Sequence, residues 1–270
     1  MNILAIGSSS FIAQSLQNLV GNSGKYHFIP HTEALDISSW PESTSSVINF
    51  ACDPVIRQGK YSDFDHKCAE IAEKLSVHYI MMSTRAVYGR SKVPQTYDEN
   101  SEFLDDVTPY GLAKRLIEAD LQENFENITI LRPSNVFGFE YSQQQPRKTF
   151  FGQMLKSLKE EGYITFDIAK TTTRDFLPVK VLAEYIDVIA KTPQRGVLNL
   201  GSHTGIPLQD IAESVISGFG AGEIRVTSGV ERDSFTLNAT KAQEAYNLNQ
   251  VTKSDILEEC VKIGRQLRSE

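Results

Sequence analysis

Cysteine is scarce in this chain: 3 in 270 residues, at Cys52, Cys68 and Cys260, with no Cys-x-x-Cys spacing. That excludes a disulfide framework and a thiolate zinc site, and it fits a reducing compartment. Histidine is thin as well, with 5 residues, and His31, His66 and His203 stand at no metal-ligand spacing, so no metal is expected. No apolar run approaches the ~18 residues of a membrane span. The first apolar run opens at Asn2, leaving no room for a signal segment; a cytoplasmic protein is expected. Positive charge is in deficit, 27 Lys and Arg against 34 Asp and Glu, for a net −7. Nucleic acid and anionic membrane are therefore not the expected main partners, although a local basic pocket is compatible with that balance. Internal repeats, low-complexity tracts and an obvious linker are also missing.

What is present is the composition of an ordinary globular protein, 40% hydrophobic and 23% charged, long enough for one or two domains. Strand and helix patterns alternate along the first half. Residues 2–6 read as a strand, followed by a tight turn and a helix from Phe11; strands follow at 27–29 and 46–51. Next come a helix over 63–75, a strand at 77–82, a helix opened by Pro109, and a strand at 128–131. Several of these strands are continuously apolar, which predicts a parallel sheet covered on both faces. Beyond Gly138 the rhythm changes. A loop is expected at 143–147, helices at 150–159, 179–191, 207–217 and 254–266, and a strand at 196–200. The expected fold is α/β: a Rossmann-type doubly wound parallel sheet over 1–138, with a small mixed α/β C-terminal substrate lobe over 139–270. The strand at 196–200 would return to the main sheet.

Two stretches carry chemistry on their face. Pro109 suits the first turn of a helix, and the residues after it are good helix formers, so Tyr110 and Lys114 stand one turn apart on one face. A phenol beside an ammonium has its phenolate favoured, so a lowered Tyr110 pKa is expected. A second Tyr-x-x-x-Lys at Tyr88 and Lys92 leaves two candidates. The other stretch is Gly7-x-x-Ser10-x-x-Ala13, at the turn from first strand to first helix. Free N–H groups and the helix dipole there suit a pyrophosphate. Only the first of three fingerprint glycines is kept, but Ser10 and Ala13 are small. The second strand ends in Pro30-His31-Thr32 without a carboxylate, which favours NADP over NAD; Glu33 keeps NAD open. Asp36 is either an adenine contact or a cap.

The ordered set of motifs resembles the extended short-chain dehydrogenase/reductase superfamily, in particular its NAD(P)-dependent nucleotide-sugar epimerases, dehydratases and reductases. The similar segments are the turn Gly7-Ser8-Ser9-Ser10-Phe11-Ile12-Ala13, Met82-Ser83-Thr84-Arg85-Ala86-Val87-Tyr88-Gly89, and Pro109-Tyr110-Gly111-Leu112-Ala113-Lys114. They continue with Leu131-Arg132-Pro133-Ser134-Asn135, Arg174-Asp175-Phe176, Leu198-Asn199-Leu200-Gly201-Ser202, and Arg232-Asp233 with Lys241-Ala242. The resemblance selects Tyr110 and Lys114, because Tyr88 falls in the Val-Tyr-Gly segment that closes a strand.

The resemblance implies hydride transfer between a nicotinamide and a sugar carbon. Tyr110 would exchange the proton, Lys114 would lower its pKa and hold the ribose, and Thr84, rather than the neighbouring Ser83, would orient the sugar oxygen. Implied cofactor contacts are Gly7, Ser9, Ser10, Phe11, Ile12, His31, Asp36 and Ala51, together with Tyr110 and Lys114. Arg174, Arg232 and Asn135 would hold the diphosphate, whereas Arg132 closes a strand. Arg85-Ala86 stand where the family's dehydratases carry an Asp-Glu pair, so dehydration is not expected. Pro178-Val179-Lys180-Val181 replace residues that are normally acidic. The implied reaction is reduction of a 4-keto-6-deoxy sugar nucleotide. Its rivals are a C4 epimerase that retains its cofactor and a non-catalytic NAD(P)-sensing protein, which the degenerate turn would suit. A homodimer through two helices on one sheet face is the partner the resemblance adds.

Overall fold

The structure is a computed structural model that describes residues 2–141 and 149–270; the loop expected at 143–147 lies outside the described residues. The inner strands of its main sheet are apolar segments buried on both faces, whereas the edge strand β2 is only partly covered. The chain begins β1 (Asn2–Ile6), α1 (Phe11–Val20), β2 (Tyr26–Ile29), β3 (Thr44–Asn49), α2 (Phe64–Lys74), β4 (His78–Met82). It continues β5 (Gln95–Tyr97), α3 (Pro109–Asn124), β6 (Ile128–Pro133) and β7 (Asn135–Phe137). After that come α4 (Phe150–Glu161), β8 (Tyr163–Phe166), β9 (Thr173–Pro178), α5 (Val179–Lys191), β10 (Gly196–Leu200) and β11 (Gly205–Pro207). The last elements are α6 (Leu208–Phe219), β12 (Glu223–Val226), β13 (Phe235–Leu237), α7 (Thr240–Tyr246) and α8 (Lys253–Ser269).

The six-stranded main sheet has the order β10-β6-β4-β3-β1-β2, and every neighbouring pair is parallel. The twofold alternation of strands sorts its side chains into two cores. Ile3 and Ala5 join Ala13, Leu16 and Leu182 of α1 and α5 on one face. Leu4 and Ile6 join Cys68, Ala72, Ala113 and Ile117 of α2 and α3 on the other. The chain leaves β1 for β2 on one side and returns for β3 on the other. This reversal opens a crevice beyond the carboxyl ends of β1 and β3.

A second, mixed sheet has the order β11-β9-β13-β5, with β7 added to β9; β8 and β12 form a separate ribbon. β5 comes from early in the sequence and β10 from late, so lobe and main sheet are threaded through each other. α6 and α8 press together at Gly218 and Gly264: a Cβ on Gly264 would stand 2.1 Å from the Val215 carbonyl oxygen, which no side chain tolerates. Cys68 and Cys260 are buried apolar fillers, Cys52 is exposed, and all three thiols are free.

His78 ties the sheet together from its lower end. Its Nε2 stands 2.8 Å from Thr129 Oγ1, and that hydroxyl donates to the Gln194 carbonyl at 2.7 Å, so the ring nitrogen is the donor. Burial holds the imidazole down at about 4, below its ordinary 6.5. A depressed pKa stabilises the fold above 6.5, and that contribution is lost as pH falls from there through about 4. The protein is therefore expected to lose more Tm between about pH 7 and pH 4.5 than a His78→Gln variant, which cannot titrate; equal losses in a thermal series would contradict this.

Candidate active site

At the end of β1, Gly7 takes a φ of +85°, and a Cβ there would stand 2.7 Å from the Ala51 backbone nitrogen. Glycine is thus required where the turn passes the end of β3. Gly7 and Ser8 N–H donate to the Ile29 carbonyl, fixing the turn to β2. Ser10, in place of the second fingerprint glycine, caps α1: its Oγ accepts from Ala13 N at 3.1 Å. The positive end of the α1 dipole lies at this turn, beyond the carboxyl end of β1. Ala51 stands directly against the turn. This glycine cradle fits a pyrophosphate. Asp36 caps the short turn Ile37–Ser39, accepting from Ser38 N at 3.0 Å, and is fully exposed. His31, also exposed, opens the turn His31–Glu33.

On the far side of the crevice, Thr108 caps α3 by accepting from Gly111 N at 3.1 Å, and Pro109 takes the first helical position. Gly111 lets the helix lie flush on the turn Arg85–Tyr88, since a Cβ would come within 2.3 Å of the Ala86 carbonyl oxygen. Lys114 is 2% exposed, and its Nζ donates to the Met82 carbonyl at 2.9 Å. α3 is thereby held against the end of β4, two residues before Thr84. Thr84 Oγ1 accepts from Ala86 N at 3.1 Å, a backbone cap, and its hydroxyl has no acceptor among the described residues. Ser83, by contrast, is buried and donates to Glu118. The two neighbouring hydroxyls are therefore assigned to different tasks: Thr84 is half-exposed, and Ser83 is locked in the interior.

Tyr88, the rival tyrosine, is fully buried and donates to Asn199 Oδ1 at 2.7 Å. Gly89 at φ +85° ends its turn, and Lys92 lies exposed beyond it. The expected lowering of the Tyr110 pKa is not what the protein alone gives. Burial raises it, Lys114 and Arg57 pull it down, Cys52 and Asp65 push it up, and the net direction is upward. Lys114 is pressed down by burial but raised by Asp65, Tyr110, Cys52 and Glu118, with a net upward displacement.

Behind this set lies a buried ionic network. Arg132, 3% exposed, donates to both oxygens of Glu118, at 3.1 and 2.5 Å to Oε2, and to the Tyr88 hydroxyl at 3.0 Å. Glu118 is one helical turn beyond Lys114 on the same face of α3. Arg132 therefore closes its strand structurally.

The expected diphosphate residues gather in the lobe. Arg174 on β9 stands 3.9 Å from Asp233 and 5.9 Å from the Phe150 ring centroid, and its buried Nε has no partner. Arg232 is more than half exposed and donates to the Asp167 carbonyl at 3.3 Å. Burial lowers Arg174, Asp233 raises it, and Arg85 and Arg232 lower it, so three guanidinium groups share one neighbourhood. Asn135 is half-buried on β7, alongside β9. Arg85 forms a bidentate pair with Asp233, at 3.0 and 2.5 Å. Asp175 is fully buried and accepts from Ser202 N, His203 N and Leu237 N, tying β9 to β10 and β13. A surface hollow of about 790 Å3 runs along β2, lined by Gln17, Tyr26, Phe28 and Pro41, and holds none of the expected catalytic residues.

Asp65, Asn49 and Glu118 are buried polar residues close to Lys114 that carry no motif in the sequence. Glu118 had a visible signal, four residues after Lys114; Asp65 meets Lys114, and Asn49 meets Asp65, only through the fold.

A six-stranded parallel sheet covered by helices on both faces, with its strand order reversing at β1, defines a Rossmann-like α/β protein. A profile of the NAD dependent epimerase/dehydratase family matches residues 66–201, half of the chain, and the chain belongs to that family. Comparison with curated protein sequences gives no match. Among solved structures, the dTDP-glucose 4,6-dehydratase of Bacillus anthracis in complex with NAD is similar, with TM-score 0.77 and 18% identity over 98% of this chain and 97% of that one. The UDP-N-acetylglucosamine 4-epimerase of Methanobrevibacter ruminantium, in complex with UDP-N-acetylmuramic acid, has TM-score 0.80 and 15% identity over 99% and 98%. RMD of Pseudomonas aeruginosa, complexed with NADPH, has TM-score 0.78 and 16% identity over 100% and 99%. At these identities the likeness establishes a shared fold.

Proposed function

We propose that this protein is an NAD(P)-dependent oxidoreductase of a nucleotide-activated sugar, reducing a 4-keto-6-deoxy sugar nucleotide. The observation that carries the reading is the Lys114–Met82 contact, which sets Lys114, one turn after Tyr110 on α3, against the end of β4, two residues before Thr84. When bound, a nicotinamide dinucleotide supplies the hydride. Gly7, Ser9, Ser10, Phe11, Ile12 and Ala51 would hold it at the cradle, with His31 and Asp36 towards its adenosine end and Lys114 towards the nicotinamide ribose. The absence of a carboxylate at the end of β2 favours NADP. Thr84 would donate its uncommitted hydroxyl hydrogen to the sugar oxygen. Tyr110 would deliver the proton to that oxygen as the carbonyl becomes a hydroxyl. Lys114 offsets the charge left on the phenol. Arg174, Arg232 and Asn135 would take the diphosphate, for which guanidinium forks are well suited.

Arg85 supports reduction over dehydration: it stands directly after Thr84 and is engaged with Asp233, so no acid–base pair occupies that position. The second reading, a C4 epimerase, uses the same Tyr110 and Lys114 for oxidation and re-reduction. The third, a cofactor sensor, has its support in the replaced glycines of the turn. A screen of nucleotide sugars and their 4-keto derivatives with NADH and NADPH, read at the nicotinamide absorbance, separates the three. Stoichiometric consumption of NADPH is expected. Sugar conversion without net consumption would favour the epimerase, and binding without turnover the sensor.

A further inference from the structure

Asp65 sits in the first turn of α2, yet its side chain is only 3% exposed. Its Oδ1 accepts from Asn49 Nδ2 at 2.8 Å and from the Tyr79 hydroxyl at 2.7 Å, and its Oδ2 faces Lys114 Nζ at 3.9 Å. Asn49 is itself oriented, because its Oδ1 accepts from Ala51 N at 2.9 Å, leaving the amide nitrogen turned to Asp65. The groups come from the end of β3, the first turn of α2, the body of β4 and the catalytic face of α3, and all four side chains belong to buried residues. Ala51 and Cys52 continue from Asn49 along the wall of the crevice.

A buried ammonium with no anion beside it sheds its proton rather than remain charged. Among the described residues, Asp65 is the one carboxylate within 4 Å of Lys114. Glu118, also on α3, is occupied by Arg132 and Ser83. The other titratable groups that act on Lys114 are Tyr110 on its own helix and Cys52 after β3. We propose that Asp65 is a positioning residue for Lys114: it keeps the lysine cationic and set at the Met82 carbonyl, so that an ammonium faces Tyr110 throughout the working pH range. At 3.9 Å the carboxylate is an ion partner without being a hydrogen-bond acceptor. Met82 takes one ammonium proton, and two are left for the crevice. The direction of the Lys114 displacement agrees: Asp65 leads the groups that raise it against burial.

The consequence for turnover rests on the proposed roles of Tyr110 and Lys114; the charge of Lys114 does not. The test is a carbon NMR titration of full-length protein labelled at the lysine ε-carbons, with the Lys114 signal assigned by its loss in Lys114→Met. In the unaltered protein Lys114 is expected to stay protonated up to or beyond the ordinary lysine range of about 10.4. In Asp65→Asn its midpoint is expected to fall by at least about one unit, a tenfold change in the acid dissociation constant. Asp65→Glu is expected to restore most of that shift. Tyr79→Phe, which removes a donor to Asp65 and keeps the charge, is expected to leave Lys114 titrating near the unaltered value. A folded Asp65→Asn protein whose Lys114 titrates like the unaltered one would overturn the proposal. So would an unaltered protein whose Lys114 titrates well below the lysine range, a reading that needs no variant to fold. Turnover is read separately: the upper limb of the kcat–pH profile is expected to move down in Asp65→Asn. Lack of turnover in the unaltered protein would count against the proposed function and leave the titration result standing.

Discussion

Tyr110→Phe is expected to lower turnover by about a hundredfold to ten-thousandfold, the range a positioned general acid contributes. The same change should leave NADPH affinity and Tm nearly as they were. The reason lies in how the phenol is held. Among the described residues its hydroxyl has no hydrogen-bond partner, so its removal strands no donor or acceptor, and the ring still packs against the α2–α3 core. The protein alone also holds the Tyr110 pKa up, with burial outweighing Lys114. A protonated phenol at neutral pH is the form that a reductase needs for proton delivery, and a retained hydroxyl is what Phe removes. Stopped-flow nicotinamide absorbance, with cofactor affinity measured in parallel, separates loss of chemistry from loss of binding. Unchanged turnover in the variant would remove Tyr110 from the reaction.

The second large effect belongs to stability. Glu118→Leu leaves the Arg132 guanidinium, 3% exposed, without its carboxylate and also deprives Ser83 of its acceptor. Breaking one half of a buried ion pair costs about 3–5 kcal/mol, because the surviving charge stays desolvated. A urea midpoint should fall accordingly. The double variant Glu118→Leu with Arg132→Met removes both charges and is expected to recover a large part of the loss, since a buried pair replaced by apolar groups is often close to neutral. Equal instability in the single and double variants would mean that packing, and not the stranded charge, sets the cost. The network also reaches the site: Tyr88 joins Arg132 to Asn199, so the loss should be felt where β4, β6 and β10 end side by side.

The main sheet was legible because its inner strands, such as β1 and β4, are buried on both faces and read as apolar runs, while α3 announced itself through Thr108, Pro109 and the helix formers after them. β5, β11 and β13 went unread for a physical reason: three residues hold too few alternations to show a period, and their pairing spans the chain, as Phe235 beside Gln95 does. Tyr110 with Lys114 was legible because four residues make one helical turn. The hydroxyl partner was narrowed by the fold, which commits Ser83 to Glu118 and leaves Thr84 at the crevice. Asp65 carried no sequence signal, since its neighbours Asn49, Tyr79 and Lys114 lie on separate elements. Helix spacing predicts a lowered Tyr110 pKa because it shows the ammonium, but not the burial that outweighs it and turns the direction upward.

The central claim is that hydride passes to a carbon of a nucleotide-linked sugar with Tyr110 supplying the proton. It is tested most directly by turnover of a 4-keto-6-deoxy sugar nucleotide with NADPH deuterated at the transferable position of the nicotinamide, with mass spectrometry of the sugar product. The account predicts one deuterium on the reduced sugar carbon in the unaltered protein and none formed at a comparable rate by Tyr110→Phe. Product without deuterium, or deuterated product at an unchanged rate in Tyr110→Phe, would contradict it.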